Sequence, residues 1–222
     1  MDWVFFTERI VPVLNRGLWM SVQLIIPSAL LGLAGGVLLG ALRVFGSSAV
    51  RKVGDLYTTL FRGVPLVIQL FILYYGLPKI GLYFDGFTAA VIGFILCSAA
   101  YHSEYIRGAL LSIRQGQYKA AQALGFSTFQ LVKSILIPQA MRRALPGCGN
   151  EIIYLIKYSS LAYVTTCIEL TGEAKILAAR TYRYTEIFMA AGMYYLFLTT
   201  IATWLLHKIE ARAYIPGFGK QK

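Results

Sequence analysis

Apolar runs separated by short basic stretches dominate this chain. No charged residue falls between Arg16 and Arg43. That run is long enough to cross a hydrocarbon layer, which takes about 20 residues. Within it Ser28, Gly32, Gly36 and Gly40 recur at every fourth position, so one face of the predicted helix is stripped of bulk and open to close approach by another helix. A second run, FRGVPLVIQLFILYYGL, starts near Asp55; a third covers Phe87 to about Ala109 and a fourth about Leu145 to Thr166. The fifth, from Ile187 to His207, carries no charge between Glu186 and His207. The pattern predicts an all-α membrane protein with five transmembrane helices and a single transmembrane domain over residues 1–222.

Composition supports lipid as the solvent. Of 222 residues 57% are hydrophobic and only 14% charged, and mean hydropathy is +0.61, where a soluble domain carries nearer a quarter charged residues. The formal charge of +11 would suit nucleic acid if it formed a patch, but it lies in short loops between apolar runs, so no nucleic-acid partner is expected. Its distribution orients the spans instead. Arg43, Arg51 and Lys52 come after the first; Arg107, Arg114, Lys119, Lys133, Arg142 and Arg143 after the third; Lys208, Arg212, Lys220 and Lys222 after the fifth. The other side mixes its cations with acids such as Glu169, Glu173 and Glu186. Excess positive charge marks the cytoplasmic side, which places the N-terminus outside and the C-terminus in the cytoplasm. The opening MDWVFFTERI has acids at Asp2 and Glu8 and no basic start, so it is read as mature protein and not as a signal peptide. Cys97, Cys148 and Cys167 are scattered, and His102 and His207 are far apart. They make no metal spacing and no disulfide framework. No catalytic constellation, metal site or cofactor motif is visible.

One cytoplasmic stretch is organised differently. In QYKAAQALG, residues 117–125, Tyr118, Ala121 and Gly125 fall at helical spacing on one side, with Ala120 and Leu124 adjoining. Gly125 can adopt the left-handed conformation that ends a helix. Ser127 then fits an N-cap with Gln130 at the capping-box position, and Phe126 and Leu131 sit where a hydrophobic staple would pack. Pro138 and Pro146 are expected to interrupt the helix beyond this restart. The prediction is a short helix between sharp breaks, in a loop of about 112–140. It would either lie on lipid or dock in a protein groove.

These residues carry a resemblance. Lys119-Ala120-Ala121, Gly125 and Ile135-Leu136-Ile137-Pro138 resemble the coupling-loop motif of permease subunits of ATP-binding-cassette importers. FRGVPLVIQLFILYYGLP, AAYHSEYIRGALLSIRQGQYKAAQALG and NEIIYLIKYSSLAY resemble, in order, three further segments of the polar amino-acid permeases, and together they cover most of the chain. Two positions depart: Lys119 stands where the family has glutamate, and Ile137 where it has leucine. The resemblance implies a type I importer permease fold with a cytoplasmic coupling helix, in the bacterial inner membrane. It implies a second permease subunit, identical or related, two cytoplasmic ATPase subunits, and an extracytoplasmic solute-binding protein that delivers an amino acid. Gln117, Tyr118, Lys119, Ala120, Ala121, Leu124, Gly125 and Pro138 would then form the ATPase-coupling segment. No G-x-x-x-x-G-K-[ST] phosphate loop occurs in the chain, in keeping with ATP hydrolysis on a separate subunit, so this chain is not expected to be an enzyme.

Charge inside a span points to the solute site. An ionisable group in the membrane is costly and is by default functional. Glu151 comes soon after Pro146, Gly147 and Gly149, which are expected to break the helix near mid-membrane, where transporters often hold their solute. A carboxylate there suits a guanidinium or ammonium. Asn150-Glu151 with Ser159-Ser160-Leu161-Ala162 resembles permeases of the histidine/arginine/lysine/ornithine type, which brings Ser160 into the candidate site. Lys157 could hold the amino acid's carboxylate; the alternative is a structural pair, with Glu151 or Lys157 neutralised by Arg62 or another helix. Arg62 either reaches the interface or the solute, Gln69 either shares its face or glues helices, and Glu104 and Arg107 are read as an i,i+3 pair. The competing function is an ion-gradient-driven secondary amino-acid transporter, but no internal repeat of the expected kind is found.

Overall fold

The structure, a computed structural model, describes residues 3–113 and 115–213. Asp2, Arg114, Lys220 and Lys222, which bear on maturity and orientation, lie outside the described residues. Within the described residues every regular element is helical.

The chain opens with a short helix, α1 (Trp3–Phe5), and a π-helical turn, Phe6–Ile10, that run into the 35-residue α2 (Val11–Phe45). Helical backbone runs on from Trp3 through this junction, and Pro12, which lacks an N–H, follows directly on the π-helical turn. The small-residue stripe is the seam of the molecule. Leu14, Gly17, Ser21, Leu24, Ser28, Gly32, Gly36 and Gly40 are the buried positions of α2. Its lower part packs along α5 (Gly86–Leu111). A Cβ added at Gly32 would stand 2.7 Å from Ser98 Oγ, one at Gly40 2.9 Å from Ile106 Cβ, and one at Gly36 would fall on His102 Cβ. Real Cβ atoms never approach so closely, so α2 and α5 touch only because these positions lack a side chain. Asp85 starts α5, accepting from Thr88 N and Thr88 Oγ1, both at 2.8 Å. Those two bonds hold its carboxyl below the ordinary carboxylate range.

The second apolar run is not one straight rod. It forms α3 (Ser48–Gly63) and α4 (Leu66–Phe71), and the axis turns by 102° between Ser48–Gly63 and Leu66–Ile80. Pro65 has no N–H and forces Val64 into extended backbone, φ −92 and ψ 131. Among the described residues three helices are long and apolar enough to cross a membrane, Trp3–Phe45, Gly86–Leu111 and Tyr184–Ala213, and four if the bent pair is one span.

The fourth run corrects the sequence reading. α8 (Ile137–Tyr158) starts eight residues before Leu145 and passes through Pro146, Gly147 and Gly149 without a break. Proline at 146 removes one backbone donor, but the neighbouring turns stay intact because other helices hold them. Gly147 seats the Tyr105 ring, where an added Cβ would stand 2.6 Å from Cδ1, and Gly149 seats Leu206 of α10 (Tyr184–Ala213). These glycines serve close helix packing. Nor does Pro138 interrupt the chain; the π-helical turn Val132–Leu136 runs directly into α8, and Pro138 is the second residue of α8. The irregular backbone comes later, in a 3-10 stretch Ser159–Thr165 that ends at Thr166 with φ +63. At 22 residues α8 could cross a membrane, since about 1.5 Å per residue gives roughly 33 Å. It carries Arg142, Arg143, Glu151 and Lys157 on the way. The short α9 (Leu170–Thr181) then packs beside the upper part of α2, and α10 covers both α8 and α9.

Candidate functional site

α8 carries the candidate solute carboxylate. Cys148, Glu151 and Leu155 recur at helical spacing and are all buried, so this face of α8 turns inward, where it packs on α5. Glu151 is only 3% exposed. Among the described residues no hydrogen bond or ion pair closes on its carboxylate. The ionisable groups in electrostatic range of it include Cys97, Tyr101 and Tyr105 of α5, Cys148 and Tyr158 of α8, and one cation, Arg62. An unpartnered buried carboxylate is expensive. Tyr101, Tyr105 and Tyr158 are among the groups around it.

Arg62 ends α3 beside the bend. Its guanidinium lies 5.2 Å from the centre of the Tyr101 ring, with Nη1 3.8 Å from Glu104 Oε1. Glu104 is a hub that the sequence reading reduced to its pair with Arg107. That pair is present at 2.9 Å, but Glu104 also takes Arg43 Nη1 at 2.6 Å, and Arg43 Nη2 reaches Asp55 at 2.8 Å. The cluster therefore ties α2, α3 and α5 together. Spacing along the chain could reveal only its one local pair.

Gln69 has a partner within the fold. Its Nε2 donates to Phe61 O at 2.9 Å and to Val64 O at 2.8 Å. It thus caps the carbonyls that α3 leaves open at the bend. Lys157 stands 4.2 Å from the Tyr154 ring centre and is exposed. With Ser160, Thr171, Phe188, Ala191, Gly192 and Tyr195 it lines a cavity of about 400 Å³. Glu151 is not among the residues that line that cavity. Ser160 Oγ donates to Lys157 O at 2.7 Å.

The sequence reading missed Glu169. It is fully buried and caps α9, accepting from Thr171 N at 2.8 Å, Gly172 N at 2.9 Å and the Tyr195 hydroxyl at 2.9 Å. Its sequence signal was an N-cap position before Leu170; its depth in the fold was not legible.

The cytoplasmic loop has the predicted stop and restart. α6 (Gln115–Ala123) ends at Gly125 with φ +79. Phe126 N donates to Ala121 O at 3.1 Å and Gly125 N to Gln122 O at 2.9 Å, the paired bonds of a Schellman stop. Ser127 and Gln130 complete a capping box before α7 (Thr128–Leu131). A π-helical turn, Val132–Leu136, leads into α8. The face is a correction, however. Ala121, expected on the open small-residue surface, is 3% exposed and packs with Leu131, Leu136 and Ile106 in the permease's own core, with Tyr118 against it. The open surface includes Gln117, Lys119, Ala120, Gln122, Ala123 and Leu124, with Gly125 beyond them and Leu124 78% exposed. Pro138 is exposed at the start of α8. Arg143 Nη1 donates to Ser112 O at 2.6 Å and so ties the two ends of the loop together.

Residues 32–213 match the family described as "Binding-protein-dependent transport system inner membrane component". The chain belongs to that family. The match takes in Gly32, Gly36 and Gly40 of the α2 seam, the bend, the loop and Glu151. Curated relatives align over almost the whole permease. The glutamine transport system permease protein of Escherichia coli (strain K12) is 37% identical over 221 residues, covering 95% of this chain and 97% of its own. The arginine transport system permease protein of Bacillus subtilis (strain 168) is 36% identical over 203 residues, covering 91% and 93%. Among solved structures, an amino acid ABC transporter crystallised with histidines superposes with a TM-score of 0.86 at 30% identity, over 96% of this chain and 99% of that one. The all-helical fold is thus that of the type I importer permeases.

Proposed function

We propose that this permease imports polar, basic amino acids across the bacterial inner membrane, and that Glu151 receives the cationic end of the solute. Its family makes it a component of binding-protein-dependent transport, and its relatives are named for amino acids. Those names include both glutamine and arginine at nearly equal identity, so similarity does not choose the solute class. Glu151 supports the choice: a buried carboxylate with no hydrogen bond or ion pair among the described residues is complementary to guanidinium or ammonium, which a neutral side chain cannot supply.

In this reading five spans cross the membrane: α2, the α3–α4 pair, α5, α8 and α10. The chain pairs with an identical or related permease, two cytoplasmic ATPases bind below, and an extracytoplasmic binding protein delivers the solute. α6 is the coupling helix, presenting Gln117, Ala120, Leu124 and Lys119 to the ATPase, with Tyr118 and Ala121 anchoring it to the permease. Lys119 at the family's glutamate position would meet an acidic group on that partner. Lys157 lies above Glu151 along α8, where it could guide an incoming carboxylate. An ion-gradient-driven transporter is disfavoured by the family.

Uptake measures the solute assignment. Glu151→Gln keeps shape and removes charge, and a lost charge-assisted contact costs about 1.5–3 kcal/mol, roughly ten- to a hundredfold in affinity. With matched amounts of complex and saturated binding protein, arginine and lysine uptake should fall and glutamine uptake should not. Equal arginine uptake by both proteins would leave Glu151 as a packing residue.

A further inference from the structure

We propose that α3 is an interfacial helix that lies in the plane of the membrane and anchors the permease to anionic phospholipid of the cytoplasmic leaflet. This goes beyond the solute reading and takes from it only the orientation of the spans. Contacts with α5 fix how α3 lies. Tyr57 Oη donates to Leu96 O at 2.7 Å, and Cys97 Sγ reaches Phe61 O at 3.8 Å. The residues next to these on α3 touch α5 much further along: Thr58 Oγ1 lies 3.4 Å from Ser103 Oγ, and Arg62 Nη1 3.8 Å from Glu104 Oε1. From Tyr57 to Phe61 the contact on α5 advances by one position, whereas neighbours on α3 meet α5 seven positions apart. Helices running side by side would advance together. Seven residues rise about 10 Å, the width of a helix, so α5 passes α3 nearly at right angles. Beyond the 102° bend the chain climbs α5 instead. Leu70 and Leu73 stand beside Gly93, and Tyr74 meets Thr166 Oγ1 at 2.9 Å, where Thr165 Oγ1 donates to Gly86 O.

The surface of α3 has three sides. Gly54 and Thr58 are buried against α2 and α5. Ala49, Val53, Leu56 and Leu60 share a second side by helical spacing, and the last three are 68%, 60% and 51% exposed. Arg51, Lys52, Asp55 and Thr59 form the third, across the helix from that stripe, and all are exposed. The contacts with α5 show which way these sides face. Tyr57 borders the apolar stripe, four residues after Val53 and three before Leu60, and it touches α5 at Leu96. Arg62 borders the charged side and touches α5 at Glu104. From Leu96 to Glu104, α5 runs toward the basic cytoplasmic loop. The apolar stripe therefore faces the bilayer centre and the charged side the cytoplasm. A crossing helix would have no such division, and an interfacial helix requires it. Arg43 pins the charged side, holding Asp55 and Glu104 together. Arg51 and Lys52 then stand at the level of the phosphates, where basic groups attract anionic headgroups. The α3–α4 pair crosses the membrane from the bend onward.

The lie of α3 is tested with nitroxide labels on introduced cysteines, in the purified permease–ATPase complex reconstituted into vesicles of phosphatidylcholine and phosphatidylglycerol. Wild type carried through the same labelling gives the background of the buried Cys97, Cys148 and Cys167. Labels at Val53→Cys, Leu56→Cys and Leu60→Cys should collide mainly with dissolved oxygen, and labels at Lys52→Cys and Thr59→Cys mainly with a water-soluble nickel chelate. Oxygen dominance at all five would make α3 a crossing helix, and nickel dominance at all five would put it in water. Protection of the apolar three from both would mean that another protein covers them. Each of these results overturns the proposal. The headgroups are tested by the heat stability of the complex in neutral detergent, titrated with phosphatidylglycerol, phosphatidylcholine or inorganic phosphate. Each basic residue at an anionic surface strengthens binding about fivefold. The double variant Arg51→Gln, Lys52→Gln should therefore need about ten- to thirtyfold more phosphatidylglycerol for half of its stabilisation. An unchanged requirement, or equal stabilisation of wild type by phosphatidylcholine or by inorganic phosphate, would remove the anionic lipid from the proposal and overturn it. The labels report α3 whatever Glu151 binds, and uptake by Glu151→Gln reports the solute whatever α3 touches, so the two readings fail separately.

Discussion

Gly36 shows how much one missing side chain can decide. Its neighbour His102 is fully buried, and a Cβ at position 36 would occupy the space of His102 Cβ. That atom is fixed to the α5 backbone, so no rotamer change relieves the clash. Gly36→Ala should therefore force α2 away from α5 and lower the thermal aggregation temperature of the purified complex, and Gly36→Leu should abolish recovery of folded protein. Overpacking typically costs about 1–3 kcal/mol where side chains can yield, and here backbone must. Gly108→Ala is the control: nothing lies within 4 Å of a Cβ there, and stability should be unchanged or slightly raised. The role of Gly36 was legible because four small residues in register mean close approach. The role of Gly147 and Gly149 was not, because glycine beside proline reads equally well as a break. Only the Tyr105 and Leu206 side chains, distant in sequence, show that these glycines are contact surfaces.

Elements depend on their ends, and the cytoplasmic loop shows this most clearly. α6 stops because Gly125 sits at φ +79, a region that costs an L-residue about 1–2 kcal/mol and a β-branched one more. Gly125→Val should unwind the last turn of α6 and loosen its exposed Leu124 edge. No atom lies within 4 Å of a Cβ there, so the effect is conformational and not a clash. Membrane insertion and permease level should stay normal while solute uptake falls and the ATPase co-purifies poorly. Normal uptake would remove α6 as the coupling element. The stop, the capping box and the restart were all readable, since each rests on residues within five positions of one another. The direction in which α6 faces was not, because its inner side is set by Leu131, Leu136 and Ile106. The bend at Pro65 was not read from the sequence, where the second run stood as one span; at the 102° turn Gln69 folds back to cap Phe61 O and Val64 O.

At the scale of the whole molecule, the helices share three apolar clusters and one charged hub. One cluster joins α5, the loop and α8; a second joins the start of α2 to α9 and α10; a third joins mid-α2, α4, α5 and the 3-10 stretch. The charged hub at Glu104 lies toward the end of α5 that leads into the basic loop. That arrangement agrees with the charge asymmetry used for orientation, and it makes the topology testable. A reporter active only outside the cytoplasm, fused after Lys222, should be inactive, and one fused ahead of α1 should be active. The opposite result would invert every assignment of side.

Sequence alone determined the apolar runs, their small-residue seam, the local stops of the cytoplasmic loop and the position of a charge inside a span. Each of these comes from residues close in the chain, or from a periodicity that one helix imposes by itself. Tertiary structure decided that α8 runs unbroken through Pro146, that Ala121 faces inward, that Lys157 lines a cavity with Ser160 and Tyr195, and that Glu104 gathers Arg43, Arg62 and Arg107. The physical reason is the same in each case. Whether a proline breaks a helix, which way a face turns and which cations gather on a carboxylate all depend on atoms supplied by other helices, and a chain read in order does not show which helices meet.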